Sequence, residues 1–463
     1  MAASGSIHFE ISERKILLRV IDVIVVLAAL HLVGTTFDFD YFMINEQHWM
    51  WSILLGFYLL FFATVFELYD LHRASRIAPT LKAVIVTCSV TSLLYLLTPF
   101  LTPSLPENRL QIVYFYLAIN ISLLLWRALY IKFFSSSRFN KDLMLVASTD
   151  QVSGVAATLI AADPNYNIVG FIAMHGGATD QQVPGYKNWN LNDVSDLLNN
   201  ANVNEVVVVT NEQEPLATPV YNWLLESLEK GLIVREYAQV YEEITDRIPV
   251  EYVGKEFYKH FPFARNNQNK LYLVYHRAFD IVFSIIGLLG CLLVLPLIII
   301  GNLIANRGSL FYSQVRVGKN RKEFFIHKFR TMVKNAESSG AQFATVNDVR
   351  ITKFGNFLRR TRLDELPQFY NILKGEMSII GPRPERPVFV KQLATKIPFY
   401  ETRHIIKPGL TGWAQVKTKY GVSDKDHLLK LQYDLYYIKR RSLFLDLRII
   451  VKTISTVVFF KGQ

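Results

Sequence analysis

The sequence predicts a membrane-embedded helical bundle, then a parallel α/β unit, then a basic, helix-rich unit with an apolar helix of its own. Three observations carry that prediction. Four apolar runs near bilayer-spanning length fill the first third of the chain. Strand and helix patterns alternate between residues 140 and 250. A fifth apolar run, from 278 to 305, is flanked by basic residues on both sides. The totals agree: 463 residues are 51% hydrophobic, mean hydropathy is +0.20, and net charge is +11 with a pI near 9.3. Apolar overall yet strongly basic fits a membrane protein whose charged face meets anionic lipid or an anionic substrate. It argues against the other common partner of basic chains, nucleic acid.

The four runs are Ile16 to Val33, Met50 to Phe66, Ala83 to Thr102 and Leu110 to Trp126. Each lies close to the roughly 20 residues a helix needs to cross the hydrocarbon core. The first carries Arg19 and Asp22. Basic residues gather before the first run, between the second and third, and after the fourth, whereas Asp38, Asp40, Glu46 and Glu107 occupy the other two loops. The positive-inside rule then places both ends of a bundle spanning 1–135 in the cytoplasm. The first run lacks a small-residue cleavage site, so no cleavable signal peptide is expected. Cys88 and Cys291 both lie inside apolar runs, which makes a disulfide or a cysteine metal site improbable.

From 140 to 250, strands are expected at Leu143 to Ser148, Tyr166 to Met174, Glu205 to Thr210 and Leu232 to Tyr237. Helices are expected at Val152 to Ala161, Val194 to Asn199 and Pro219 to Lys230. That alternation predicts a parallel, doubly wound sheet. After the first strand the chain reads ASTDQVSG, without the closely spaced glycines that bring backbone up to a pyrophosphate. A regulatory or packing role is therefore favoured over nucleotide binding.

The fifth run would cross a bilayer by length alone. A fifth crossing would carry Lys319, Arg321, Lys322, Lys328, Arg330, Arg359, Arg360 and Arg362 to the outer face, against the charge rule. His276 and Arg277 precede the run, Arg307 follows it, and Pro296 lies within it. Because proline removes a backbone donor and bends a helix, a re-entrant helix broken at Pro296 is expected. Beyond it lie a hairpin turning at Gly318 to Asn320 and a helix near Asp426 to Lys439. A terminal helix from Leu443 to Phe460 follows, lying on the membrane surface or packed in the core.

The chemistry concentrates between 328 and 385. In LDELPQFYNILKG, Leu363, Leu366, Tyr370 and Leu373 fall at helical spacing, Pro367 suits a first turn and Gly375 a stop. Asp364 and Glu365 therefore stand at a helix N-terminus. Alone, that reads as capping. With Arg359, Arg360 and Arg362 just upstream, the acid should stay ionised. An ionised carboxylate beside a divalent cation is a competent nucleophile toward phosphorus, and its neighbour is a candidate ligand for Mg²⁺. Phosphoryl transfer also needs fixed cations, for which Lys328, Arg330, Arg359 and Arg383 are the candidates. Arg383 sits between Pro382 and Pro384, which restrict its backbone.

KFRTM, NDVRITKFGNFLRRTRLDELPQ, GPRPE, KPGLTGWAQV and LQYDLYYI together resemble the bacterial sugar transferase family, the monotopic phosphoglycosyl transferases. The long form of that family has four N-terminal spans, a Rossmann-like domain (here 140–250) and a catalytic domain (270–463) with a re-entrant helix at 278–305. The resemblance implies transfer of a hexose-1-phosphate from a UDP-sugar to undecaprenyl phosphate in the bacterial inner membrane. UMP would be released, and exopolysaccharide, capsule or O-antigen assembly would begin. It implies Asp364 as nucleophile, Glu365 assisting with Mg²⁺, phosphate contacts from Lys328, Arg359 and Arg383, and Gln415 as a substrate-binding residue. After WAQV the chain reads KTKYG where relatives often carry Asn-Gly, so the sugar stays open. So does the oligomeric state, a homodimer included. Tyr433 and Asp434 fit the pattern without an assigned role. Two rival functions are an oxidoreductase or epimerase built on the parallel sheet, and a non-catalytic scaffold.

Overall fold

The computed structural model describes residues 11–37, 49–69, 74, 77–134, 141–163, 166–174, 183–191, 203–209, 216–252, 269–334, 336, 340, 348–418, 421 and 423–458. They form two compact units, one of residues 1–208 with 216–235, the other of residues 236–463 with 209–215.

In the first unit, helices α1 (Ile11–Phe37), α2 (Trp49–Val65), α3 (Ile77–Leu97) and α4 (Leu110–Phe134) pack around Leu18, Leu59, Val84, Phe115, Ile119 and Leu123. Within them, Lys15–Phe37, Ile77–Leu97 and Leu110–Lys132 are long and apolar enough to cross a membrane. Helix α2, at 17 residues, is the short one. At 1.5 Å per residue it rises about 25 Å, the lower limit for crossing. The charges inside the first run are explained by packing: Arg127 of α4 donates to Asp22 of α1 at 2.5 Å, and both are buried. A paired acid is tolerable where a lone one would not be.

The α/β part of this unit contains β1 (Lys141–Ala147), α5 (Thr149–Ala162), β2 (Tyr166–Ala173), β3 (Val203–Val208), α6 (Thr218–Glu229) and β4 (Ile233–Glu236). The sheet order is β2-β1-β3-β4, and β1 runs parallel to both its neighbours. Val, Ile and Met side chains fill one face under Val220, Trp223 and Leu224 of α6, as the uninterrupted apolar strands require. The helix expected at Val194 to Asn199 lies outside the described residues. Helix α7 (Tyr237–Thr245) packs in the second unit instead, where Tyr241 donates to Gln432 and Trp413 to the Asp246 carbonyl.

The second unit opens with α8 (Lys270–Gly301), which with the turn that follows gives a fourth apolar segment of crossing length, Lys270–Asn306. Pro296 lies inside α8, and the helical span continues beyond it to Gly301; the missing N–H forfeits one bond of the ladder there. The chain leaves helical geometry at a π turn, Asn302–Asn306, closed by Arg307 in the left-handed region. There follow β5 (Phe311–Val317) and β6 (Glu323–Phe329), antiparallel about a turn with Asn320 and Arg321 at positive φ, as the GKN signal predicts. Next come α9 (Lys353–Arg360), α10 (Gln368–Lys374), β7 (Ser378–Ile380) and α11 (Pro387–Lys396). The unit closes with β8 (Gly409–Thr411), α12 (Trp413–Lys417), α13 (Asp424–Arg440) and α14 (Leu443–Val458). Ser423 and Asp426 form a reciprocal cap that fixes the start of α13. On α14, Leu445, Asp446 and Ile449 are buried while Leu443, Phe444 and Ile454 are exposed, so one face is core and the other is free.

Candidate active site

Two elements bring the acids to the hairpin. Arg362 adopts φ 59°, and the tight 3-10 turn Leu363–Glu365 follows it. Asp364 and Glu365 thus lie on that turn, ahead of α10 rather than in its first α-helical turn. The reason is Pro367: it lacks the N–H that would extend the helix toward them, and α10 begins at Gln368. Asn371 then pins α10 to β6, accepting from His327 N at 3.1 Å and donating to the Phe325 carbonyl at 2.7 Å. Lys328 follows on the same strand.

The two carboxylates are 7% exposed and have opposite surroundings. Glu365 Oε1 accepts from Lys328 Nζ at 3.0 Å and from Arg383 Nη2 at 3.1 Å, while Arg362 Nη1 lies 3.6 Å from Oε2. Burial pushes Glu365 upward, but Lys328, Arg383 and Arg362 together outweigh it and hold this acid well below the usual range. Asp364 makes no hydrogen bond among the described residues. Burial, reinforced by the charge of Glu365, raises it to about 6, opposed by Lys328, Arg359 and Arg362. The sequence-based expectation of an acid held firmly ionised is thus met by Glu365 and only partly by Asp364. Burial also pulls Lys328 down, with Arg383 adding to the pull and Glu365 opposing it.

The other candidates divide. Arg383 reaches the site from the Gly-Pro-Arg-Pro turn, whose backbone lies against the segment leading into β8: a Cβ on Gly381 would stand 2.5 Å from the Lys407 carbonyl. Arg359 anchors its Nε on Thr331 Oγ1 at 2.9 Å, beside Gly355, where a Cβ would stand 2.0 Å from the Thr331 carbonyl. Arg330 is occupied elsewhere. Its Nη2 donates to the Asn306 carbonyl at 3.0 Å and its own carbonyl accepts from Asn306 Nδ2, stitching the exit of α8 to β6. Gln415 donates to the Leu410 carbonyl of β8 at 3.2 Å, leaving Oε1 without a partner among the described residues.

Sequence reasoning missed Arg316 and Arg403. Arg316 Nη1 donates to the Pro384 carbonyl at 3.1 Å, and Arg403 Nη2 donates to the Arg383 carbonyl at 3.1 Å. Both fasten the turn that carries Arg383. Arg316 is a single arginine between two valines, a charge in an apolar strand and the only signal the sequence offers there; Arg403, between Thr402 and His404, offers none.

For a metal, no group of three or more His, Cys, Asp or Glu is assembled among the described residues. Asp364 and Glu365 Oε2 remain as anionic donors. That set fits Mg²⁺, which keeps several waters and shares substrate phosphates with one or two carboxylates.

The bacterial sugar transferase family matches residues 271–460. The chain is 37% identical over 272 residues to the UDP-N-acetylgalactosamine-undecaprenyl-phosphate N-acetylgalactosaminephosphotransferase of Aeromonas hydrophila, covering 58% of this chain and 62% of that one. It is 44% identical over 182 residues to the UDP-glucose:undecaprenyl-phosphate glucose-1-phosphate transferase of Xanthomonas campestris pv. campestris, covering 39% and 38%. Both matches thus span less than two thirds of the relative's length. The similarity to the uncharacterized sugar transferase EpsL of Bacillus subtilis, 37% over 195 residues, takes in 41% of this chain and 90% of the relative. With the hairpin, the acidic turn and the Arg383 turn all inside the matched segment, the chain belongs to the bacterial sugar transferase family.

Proposed function

We propose that the chain transfers a hexose-1-phosphate from a UDP-sugar to undecaprenyl phosphate through a covalent intermediate on Asp364. The asymmetry of the two carboxylates carries this reading. A nucleophile must be ionised and free to attack, and Asp364 is the acid without a hydrogen-bond partner among the described residues, with Lys328, Arg359 and Arg362 near enough to favour its charge. Glu365 is engaged by three cations. It fixes Lys328 and Arg383 as a cradle for the phosphates.

In the first step an Asp364 oxygen attacks the phosphorus that bears the sugar. The P–O bond to UMP breaks, and UMP leaves with that oxygen and its electron pair. A sugar-phosphoryl aspartate remains. A phosphate oxygen of undecaprenyl phosphate then attacks the same phosphorus, the acyl–phosphate bond breaks, and Asp364 is regenerated as carboxylate. Lys328, Arg383 and Arg359 hold the phosphate oxygens as charge shifts between them. Mg²⁺, held by Asp364 and Glu365 together with the diphosphate, would neutralise the charge of the donor.

The same reading places the second unit on the cytoplasmic face of the bacterial inner membrane, with α8 re-entrant. Contacts along α8 support it. Near its start Arg277 donates to the Ile372 and Leu373 carbonyls at 2.8 Å, and Asp280 accepts from Ser378 Oγ and Ile379 N at 2.9 Å. Further on, a Cβ on Gly287 would meet the Phe369 ring at 2.5 Å, and at the far end one on Gly301 would meet Phe354 at 2.3 Å. One folded unit thus grips both ends of the helix, which supports a helix that enters and leaves on one face. Asn302 is buried and donates to the Gly308 carbonyl, so the exposed Ser309 is the better site for a topology label.

The test uses full-length protein, undecaprenyl phosphate, Mg²⁺ and a panel of UDP-sugars, reading UMP. Release with at least one sugar, lost in Asp364→Asn and on chelation, supports the proposal. No UMP from any of them with folded protein sinks it.

A further inference from the structure

The one motif left without a function is LQYDLYYI, and its acid leads back to the site. Asp434, on α13, is 2% exposed, and its Oδ2 accepts from Arg403 Nη2 at 2.7 Å. Arg403 is itself 6% exposed; its Nη1 donates to Tyr400 OH at 2.7 Å, and the Nη2 that serves Asp434 also donates to the Arg383 carbonyl at 3.1 Å. The Arg383 side chain in turn reaches Glu365. Three links therefore run from a buried carboxylate on α13 through Arg383 to Glu365.

Two features make this more than a buried ion pair. The carbonyl that Arg403 holds belongs to the residue whose side chain does the chemistry. That residue lies between two prolines, so its φ and ψ are already narrow and little beyond the carbonyl direction remains to be set. Arg316 fixes the next carbonyl, that of Pro384. A guanidinium that must meet a phosphate within about half an ångström needs such a frame.

We propose that Arg403 and Asp434 are positioning residues: Asp434 orients Arg403, and Arg403 holds the Arg383 backbone so that its guanidinium faces Glu365 and the donor phosphate. Neither touches substrate. The effect of each on turnover passes through Arg383, so this inference rests on the phosphoryl-transfer reading of the site.

Arg403→Ala leaves Asp434 buried without its arginine and so destabilises the fold itself. The pair Arg403→Met with Asp434→Leu removes both charges at similar volume and is the variant to compare. A double-mutant cycle with Arg383→Ala separates positioning from general damage. Loss of Arg383 alone should lower kcat about 100-fold, and loss of the Arg403–Asp434 pair about tenfold with KM for the UDP-sugar little changed. In the Arg383→Ala background the pair should cost less than about twofold. A further tenfold loss there would overturn the proposal. The second readout does not depend on turnover: in a cryo-EM structure of the Arg403→Met, Asp434→Leu protein, the Arg383 guanidinium should have left Glu365. If it stays at hydrogen-bond distance the positioning role is wrong, whatever reaction the wild type catalyses. If wild type releases no UMP, the reaction is wrong, and the structure of the variant still decides the positioning role.

Discussion

Replacing Asp364 by Asn should abolish UMP release and at the same time stabilise the protein. Asp364 is buried, and its carboxyl titrates at about 6 in the fold against an ordinary 3.8. The folded state therefore binds this proton more tightly than the unfolded chain, and ionisation at neutral pH works against folding. Integrating between the two values gives a cost of about 3 kcal/mol at pH 7.5, roughly half of that at pH 5 and little at pH 4. Asn keeps the volume and removes the charge, so it should recover most of that cost at pH 7.5 and little of it at pH 4. For a unit of this size, 3 kcal/mol is roughly 6–12 °C in Tm. The assay is thermal unfolding of wild-type and Asp364→Asn protein in one detergent across that pH range. A variant no more stable than wild type at pH 7.5, or a gain independent of pH, would refute the electrostatic account of the site. On the proposed reading, this is stability given up for function.

Glu365→Gln should behave in the opposite sense. It leaves Lys328, Arg383 and Arg362 without their counter-charge and should destabilise by about 3 kcal/mol, measurable in the same melts. The pre-steady-state burst of UMP from UDP-sugar without acceptor should lose about tenfold in rate per pH unit below about 6. A burst rate flat down to pH 5 would count against a raised Asp364. Gly355→Ala should lower UMP release through Arg359, because its Cβ would strike the Thr331 carbonyl; normal release by this variant would remove Arg359 from the site. A maleimide on Ser309→Cys should react from the cytoplasmic side of inverted vesicles, and labelling only from the outside would make α8 a crossing helix.

Much of this was legible in the sequence because it depends on local chemistry. The apolar runs mark α1 to α4 and α8 because backbone in hydrocarbon must satisfy its own hydrogen bonds. Short β-branched runs mark β1 to β4 to within two residues, and GKN marks the β5–β6 turn. Lys328, Arg383 and the two acids come together because one motif carries the acids, the neighbouring strand β6 carries Lys328 and the Gly-Pro-Arg-Pro turn carries Arg383. What sequence could not supply is pairing across distance. Asp22 looked like a blemish in a span until α4 brought Arg127 against it. Arg330 looked equivalent to Lys328, yet the π turn after α8 claims its guanidinium. The division of labour between Asp364 and Glu365 depends on which one the cations reach, and adjacent positions on a chain do not encode that. Asp434 was recognisable only as a pattern until Arg403 connected it to Arg383.

The most direct test of the central claim is a single-turnover reaction with a UDP-sugar that supports release, run with Mg²⁺ and without undecaprenyl phosphate, then quenched in acid and analysed by intact and peptide mass spectrometry. The account predicts one UMP per active site and a hexose-phosphate adduct on the peptide containing Asp364, discharged when undecaprenyl phosphate is added. UMP released only when the acceptor is present, with no adduct on that peptide, would mean direct transfer and would contradict Asp364 as the nucleophile.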